Sequence, residues 1–439
     1  MNNVPNPHGC DMIVSGGLIM LTIRPASDAD IPAIQSLLYD AVDRAEAMGR
    51  PMWQREHVAW EVISQKYPAS TFRLAVLDGE TVGCMALVMY DPEIWPELAP
   101  DEAVYLHKLV VRRNASGKGV SRALFACARD HCRSMGIPSL RLDVYANREK
   151  LRALYESEGF WFVREESFYG ESYHSALYEQ DVPMFTQAVS SWDDWRRVFQ
   201  DRDAFTPLIR AIYRKERLTF TALENAAPGT NAVFRIGETV AKVFVPACAG
   251  CDSAPEYAAE LDGLMRAERY GVDAPRVRAS GTFDDCGTLW RYLVMDYIDA
   301  PSFADMVPTL DDAGKRTIGR RLRELTDRLN VPRADGLVWA HRDINPDNLL
   351  IRPDGTPVLL DFADAAWDTV ECERAVIVCE LFRFDHAFLD GYFSEGWMPD
   401  ALAESCIRGL ARHPFRENIL RDRFGTLDDP YGHIRAALL

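Results

Sequence analysis

Five polar positions in the second half of the chain are spaced for chemistry on a phosphate. They are His341-Arg342-Asp343, then Asn348 five positions on, then Asp361-Phe362. Between Asn348 and Asp361 lies Arg352-Pro353-Asp354-Gly355, a turn sequence that predicts a hairpin pairing Asn348–Ile351 with Pro357–Leu360. That fold-back brings Asn348 and Asp361 to one end of the pair, where an amide oxygen and a carboxylate can share a hard cation such as Mg²⁺. Asp343, on the loop before the hairpin, is then placed to face a hydroxyl nucleophile. Upstream, Thr239-Val-Ala-Lys242-Val-Phe-Val reads as an apolar strand with one lysine in its middle, and a buried ammonium must find an anion. Glu260 is the expected partner, because it lies in the apolar stripe of a predicted helix over 255–270 with Tyr257 and Leu264.

The first half carries a different device. Arg112-Arg-Asn-Ala-Ser116-Gly117-Lys118-Gly119-Val120-Ser121 stands between a predicted strand ending at Val111 and a helix beginning near Ser121. Successive backbone N–H groups in such a turn, at a helix N-terminus, form an anion cradle suited to a pyrophosphate. Glycine there lets the backbone approach the phosphates without a Cβ in the way.

The elements that position these groups follow from the rest of the sequence. With 439 residues the chain predicts two or three domains, each with its own core. Hydrophobic residues at 48% and charged residues at 26% exclude wholesale disorder. A net charge of −17 argues against nucleic acid, which needs a basic face, and suits a small cationic substrate. Both halves are acidic, with 18 basic against 25 acidic residues over 1–182. No uncharged apolar run approaches the length of a membrane span. The ten cysteines form no disulfide framework, and Cys248 and Cys251 have no second pair to complete a zinc site, so free thiols in a reducing cytoplasm are expected.

Residues 1–19 read as a flexible tail, with Met20 an alternative start. Over 20–182 the order is mixed α/β: a strand at Leu21–Arg24, a helix capped by Ser27 or Asp28, and a hairpin across Asp78-Gly79. Strands at Val104–Val111 and Leu140–Tyr145 flank the helix after the cradle. A helix over 148–158 ends at Gly159, and Phe160–Val163 begins a last strand. Residues 183–216 read as a helical connector. Residues 217–439 divide into a strand-rich small lobe to about residue 296 and a helical lobe from 297. The fold class is α/β (α+β), a mixed sheet flanked by helices followed by a bilobal domain.

Two family resemblances rest on these motifs. Tyr105-Leu-His-Lys-Leu-Val-Val, the glycine turn, Leu140-Arg-Leu-Asp-Val-Tyr-Ala-Asn147 and Leu154-Tyr155-Glu-Ser-Glu-Gly159-Phe160 resemble the GNAT acetyltransferases in order and spacing. Two positions depart from the family's Arg/Gln-x-x-Gly-x-Gly/Ala loop, Ser116 at its start and Ser121 at its end. The resemblance implies acetyl-CoA held by Val111, Gly117, Lys118, Gly119, Val120, Ser121 and Asn147, and direct attack of an amine on the thioester. Tyr155 would protonate the departing thiolate. Asp143 is the choice for the base, with His107, Asp101 and Glu102 as alternatives.

The His341–Phe362 stretch resembles the catalytic loop and metal motif of protein-kinase-like enzymes, in which Asp343 is catalytic and Asn348 and Asp361 hold Mg²⁺. The resemblance further implies that Lys242, paired with Glu260, holds the phosphates of ATP or GTP. Gly229–Phe234 would cover the nucleotide, and Asp296 and Tyr297 in Leu293–Ile298 would contact the purine through their backbone. The run from Val376 to Tyr392 is similar to the helical lobe of aminoglycoside phosphotransferases and fructosamine kinases, whereas Arg342 stands where small-molecule members usually have glycine. The layout as a whole resembles bifunctional aminoglycoside acetyltransferase–phosphotransferases. It implies a cytoplasmic antibiotic-resistance enzyme acting on a cationic small molecule. The alternative is a kinase of another metabolite or of a protein, with a GNAT domain that only senses acyl-CoA.

Overall fold

In the computed structural model the described residues are 10–13 (backbone only), 20–50, 53–168, 173–227, 229–394 and 396–439. They group into two units, Met1–Thr186 with Asp203–Thr219, and Gln187–Arg202 with Phe220–Leu439.

The first unit begins with strands β1 (Cys10–Ile13) and β2 (Met20–Pro25), then helices α1 (Ile31–Ala47) and α2 (Trp60–Ile63). Strands β3 (Phe72–Leu77), β4 (Glu80–Val88) and β5 (Val104–Val111) follow. Helix α3 (Val120–Met135), β6 (Ser139–Tyr145), α4 (Glu149–Ser157), β7 (Trp161–Phe168) and β8 (Tyr173–Asp181) complete its continuous part. Eight strands form one sheet in the order β1-β2-β3-β4-β5-β6-β8-β7, antiparallel except for the β5–β6 pair. The β3–β4 hairpin closes on Asp78 and Gly79, both with positive φ, as a two-residue turn requires. Helix α1 buries Ile34, Leu37, Leu38, Ala41, Val42 and Ala45, a three-to-four-residue stripe that packs on Phe72, Leu74, Cys84, Ala86 and Val110.

Two expectations are corrected here. Residues 10–13, read as part of a flexible tail, pair with Met20–Ile23 in register, extending the sheet; the remainder of that tail lies outside the described residues. The last strand is in fact two, and β8 inserts between β6 and β7. Local alternation cannot reveal such an insertion, because it is a choice of partner rather than of conformation.

The segment read as a connector supplies a helix to each unit. Helix α5 (Trp192–Val198) belongs to the second, where the fully buried Trp195 donates its indole N–H to the Thr230 carbonyl at 2.8 Å. Most of α6 (Arg202–Lys215) returns to the first.

The second unit continues with β9 (Glu224–Asn225), β10 (Ala232–Ile236), β11 (Thr239–Val243), α7 (Ala254–Tyr270), β12 (Val277–Asp285) and β13 (Thr288–Asp296). The five strands form an antiparallel sheet in the order β12-β13-β11-β10-β9, which places Lys242 on the central strand. Helices α8 (Phe303–Met306) and α9 (Asp312–Leu329) lead to short strands β14 (Val338–Ala340), β15 (Leu349–Ile351), β16 (Pro357–Leu359) and β17 (Ala366–Asp368). Strands β15 and β16 pair Leu349 with Leu359 and Ile351 with Pro357, the hairpin expected from the Pro-Asp-Gly turn. Helix α10 (Val370–Val376) runs into a π-helical turn at Ile377–Leu381, and α11 (His386–Phe393), α12 (Pro399–Leu410), α13 (Arg416–Phe424) and α14 (Pro430–Ala437) close the lobe. One apolar core joins α9, α10, α11 and α12 through Leu322, Leu325, Val376, Phe388 and Cys406.

Candidate functional sites

In the first unit, β5 and β6 pair only at Val104↔Leu140 and Tyr105↔Arg141 and then separate, which opens a wedge toward Val111 and Tyr145. Past β5 the chain turns through Gly117 (φ +76°) and Gly119 (φ +79°) into α3 at Val120. A Cβ on either glycine would meet no atom within 4 Å, so the loop faces open space, and the left-handed φ selects glycine. The N–H groups of Val120, Ser121 and Arg122 open a 16-residue helix and have no partners within it. Those donors, with the positive end of the helix dipole behind them, fit the pyrophosphate of an acyl-CoA. Val120 is buried, while Ser116, Lys118 and Asn147 are exposed around the wedge. The Val111 carbonyl accepts a hydrogen bond from Arg44 at 3.0 Å, tying the end of β5 to α1.

The wedge carries a row of titratable groups. Register between β4 and β5 shifts between Cys84↔Val110 and Ala86↔His107, and Lys108 takes φ +53°. This bulge lets both His107 and Lys108 reach the Tyr67 ring, whose centroid lies 5.2 Å from the imidazole centroid and 5.5 Å from the ammonium. His107 Nε2 stands 3.1 Å from Asp91 and its Nδ1 3.7 Å from Asp143. Asp143 also accepts a hydrogen bond from the Tyr173 hydroxyl. Asp91, fully buried, accepts from Lys66 at 2.8 Å. Burial opposes its ionisation, but His107 and Lys66 outweigh that and hold its carboxyl below the usual range. Tyr155 packs edge-on against Phe125 and Phe160, and its hydroxyl has no hydrogen-bond partner among the described residues. Burial, with the charge of Asp143 adding, pushes this phenol well up, so it stays protonated as a proton donor must.

In the second unit, Lys242 Nζ lies 3.1 Å from Glu260 and 2.7 Å from Asp361. The lysine is 4% exposed and the glutamate 1%, and so complete a burial requires such pairing. Two carboxylates keep Lys242 cationic. Asp361, in a left-handed backbone conformation (φ +57°), is pushed up by burial but held at about 2 by Lys242; Glu260 is pushed up to about 7 by burial, the charge of Asp361 adding. Glu260 and Lys242 therefore meet as expected, and the Asp361 contact adds a third group.

The Asp343 loop is held by a set of directed bonds. Asn348 Nδ2 donates to Asp343 Oδ2 at 2.6 Å and Asn345 Nδ2 to Oδ1 at 3.0 Å. With its Nδ2 engaged, Asn348 keeps Oδ1 for a cation. The Leu360 N–H donates to the Asn348 carbonyl at 2.9 Å, so Asp361 follows directly on the end of the hairpin that carries Asn348. His341 accepts the Asp343 N–H at Nδ1 and donates from Nε2 to the Leu360 carbonyl. Burial lowers this imidazole to about 4, which keeps it in the neutral form those two bonds require. Beneath it, Phe362 packs 4.6 Å away, ring to ring, and lies so close to α7 that a Cβ at Gly263 would fall 2.5 Å from the Phe362 Cβ. Asp343 itself is pushed up to about 7 by burial, with Asp364, Asp361 and Glu380 adding repulsion.

The segment expected to contact the purine has its backbone donors engaged within the lobe. The Asp296 N–H donates to the Arg276 carbonyl and the Tyr297 N–H to the Glu238 carbonyl, so a backbone contact from either residue to a base would fall to its carbonyl oxygen. The next N–H along is that of Ile298. Gly229–Asn231 lies in the turn between β9 and β10, where the buried Asn231 accepts the Val245 N–H at 3.3 Å. Arg342 is engaged internally, 3.8 Å from Asp368, with its carbonyl accepting from His413 at 2.7 Å.

Sequence reasoning missed Asp91 and Glu373. Glu373, fully buried, accepts the N–H groups of His341 and Arg342 at 3.0 and 2.8 Å and so braces the Asp343 loop. Neither lies in a motif; each is an acid whose buried partner comes from a separate segment.

Residues 38–160 match the acetyltransferase (GNAT) family and residues 320–404 the phosphotransferase enzyme family. The chain thus carries two transferase domains. Among solved structures it is similar to a GNAT-family acetyltransferase from Listeria monocytogenes 4b F2365 (23% identity, 38% of this chain and 98% of that one, TM-score 0.32). It is also similar to N-acetylglutamate synthase from Neisseria gonorrhoeae complexed with coenzyme A and N-acetyl-glutamate (21%, 37% and 35%, 0.28), and to Ard1 from Thermoplasma volcanium (18%, 37% and 97%, 0.29). No curated protein matches the chain. Among the described residues, no helix is long and apolar enough to cross a membrane.

Proposed function

We propose that the protein is a bifunctional enzyme of the cytoplasm that acetylates an amine and phosphorylates a hydroxyl on cationic, aminoglycoside-like antibiotics. The observation that carries the reading is the convergence of Lys242, Glu260 and Asp361 beside the Asp343–Asn348 loop, on a chain that also presents a glycine cradle at a helix N-terminus.

In the second unit Lys242 would hold the phosphates of ATP or GTP, and Asn348 Oδ1 and Asp361 would hold Mg²⁺, which when bound neutralises charge on the transferring phosphoryl group. Asp343 orients the attacking hydroxyl and accepts its proton, a role that needs the carboxylate form. Neutral His341 and buried Glu373 fix the loop that presents it. In the first unit the Gly117–Ser121 loop would hold acetyl-CoA by its pyrophosphate. Asp143, with His107 beside it, takes the proton from the attacking amine, and Tyr155 returns one to the departing thiolate. The acidic surface draws a polycation toward either centre.

A paired screen tests this: aminoglycosides and other amino alcohols, each with acetyl-CoA, with ATP–Mg²⁺ and with GTP–Mg²⁺, product mass being read. The expected result is an acetyl adduct and a phosphoryl adduct on the same class of cationic compound. Phosphorylation of peptides or proteins with no small-molecule turnover would overturn it.

A further inference from the structure

Lys108 has no role in the acyl-transfer reading above, yet its side chain is held in the same wedge. The β5 bulge places it in a left-handed conformation that a residue with a side chain adopts only when its surroundings enforce it. Its ammonium rests on aromatic faces, 4.7 Å from the Trp53 centroid and 5.5 Å from that of Tyr67. Among the described residues it has no ion pair. The nearby carboxylates are engaged elsewhere, Asp91 by Lys66 and His107, and Asp143 by Tyr173 and His107. Burial without a partner lowers this amine to about 8, Lys66 also lowering it while Asp143 and Asp91 act in the opposite direction. About a tenth of the side chain is thus an uncharged amine at pH 7, far more than for an ordinary lysine, and that is the form that attacks carbonyl carbon. From Lys108 to Val111, where β5 meets the cradle turn, is about 10 Å of strand, less than the length of an extended pantetheine arm.

We propose that Lys108 is a self-acetylation site, its ε-amine taking the acetyl group of an acetyl-CoA whose pyrophosphate lies in the Gly117–Ser121 cradle. The inference rests on the acyl-CoA reading of the first unit. The Nζ lone pair attacks the thioester carbonyl carbon, the C–N bond forms and the C–S bond breaks. The nitrogen loses one proton to His107 or Asp143, and the leaving sulfur gains one from Tyr155, so the products are Nε-acetyl-lysine and free coenzyme A thiol. The acetyl group removes the positive charge and adds bulk over Trp53 and Tyr67, restricting the space an external amine would use.

The test uses the full chain with acetyl-CoA and no acceptor amine, followed by peptide mass mapping over time. Calorimetry of acetyl-CoA binding is run in parallel, and Lys108→Arg is compared after its thermal transition is checked. The expected result is one acetyl group per chain, on Lys108, at a fractional rate unchanged by dilution, and loss to background in Lys108→Arg with acetyl-CoA binding retained. A second readout needs no cofactor: competitive labelling by acetic anhydride across pH should give Lys108 a midpoint near 8, below the ordinary value of a lysine side chain. Acetyl-CoA binding without modification of Lys108, acetylation spread over exposed lysines, or a Lys108 labelling midpoint at the ordinary lysine value would each overturn the proposal. Absence of acetyl-CoA binding would overturn the acyl-CoA reading, and the proposal with it.

Discussion

The two candidate centres are built from different materials. The phosphoryl centre is an assembly of charged side chains: Lys242, Glu260 and Asp361 are in contact, and Asp343 is fixed by two asparagines. The acyl centre owes its anion-binding part to the main chain, with two left-handed glycines and the first turn of α3. A side-chain assembly concentrates function in single residues, so it should fail sharply when one is removed. A main-chain cradle distributes it over several N–H groups and should fail only when its conformation or its open space is lost.

The sharpest expected break is at Asp361. Asp361→Ala removes both the proposed cation ligand and the partner of a buried lysine, and phosphoryl transfer should fall to background while acetyl-CoA affinity stays within error. Steady-state turnover and calorimetry on the same preparation check this. Near-normal kinase turnover would remove Asp361 from the centre.

Asp343→Asn comes next, with kcat lower by about 10²–10⁴-fold, the worth of a positioned acid–base group, and nucleotide KM little changed. A variant retaining more than about a third of wild-type kcat would leave Asp343 a brace for Asn345 and Asn348. Because the carboxylate is pushed up to about 7, wild-type kcat should rise with pH through that value. The sign for stability is opposite. A carboxyl with a raised folded pKa contributes stability that is full below its ordinary pKa and lost as pH rises through about 7. Asp343→Asn should therefore raise Tm at pH 8, by about 2–4 °C for each 1 kcal/mol relieved. An unchanged or lower Tm would count against a carboxylate strained by burial.

A smaller effect is expected at Glu373. Glu373→Gln leaves one oxygen for the two N–H groups it now braces, and kcat should drop about 10–100-fold, as for other residues that orient a site without touching substrate. Ligand affinity measured by calorimetry should change little. Loss of nucleotide binding would make Glu373 part of the binding surface instead.

What could be read in the sequence divides along the same line. The Asn348–Leu360 hairpin was legible because Pro-Asp-Gly dictates its turn, and the Lys242–Glu260 pair because a lone charge on an apolar strand and another on an apolar helix face must neutralise each other. The Lys242–Asp361 contact spans 119 residues and leaves no local trace. The cradle was legible from its glycines, but the wedge beside it depends on where β5–β6 pairing stops, which is set by the whole sheet. The bulge at Lys108 was hidden for the same reason, since Val104–Val111 reads as an ordinary strand. Tyr297 is placed by its position in a motif, and that its N–H goes to the Glu238 carbonyl, on a neighbouring turn, could not be read locally.

The central claim is that one chain holds two separable transferase centres, and Gly119→Asp tests it most directly. The substitution puts a Cβ and a negative charge on a left-handed residue at the start of α3. Titration of wild type and variant with acetyl-CoA and with ATP–Mg²⁺ in the same calorimeter is the decisive measurement. The account predicts that wild type binds both and that Gly119→Asp loses acetyl-CoA binding alone. Wild-type protein that binds no acetyl-CoA, or a variant that binds it as tightly as wild type, would contradict it.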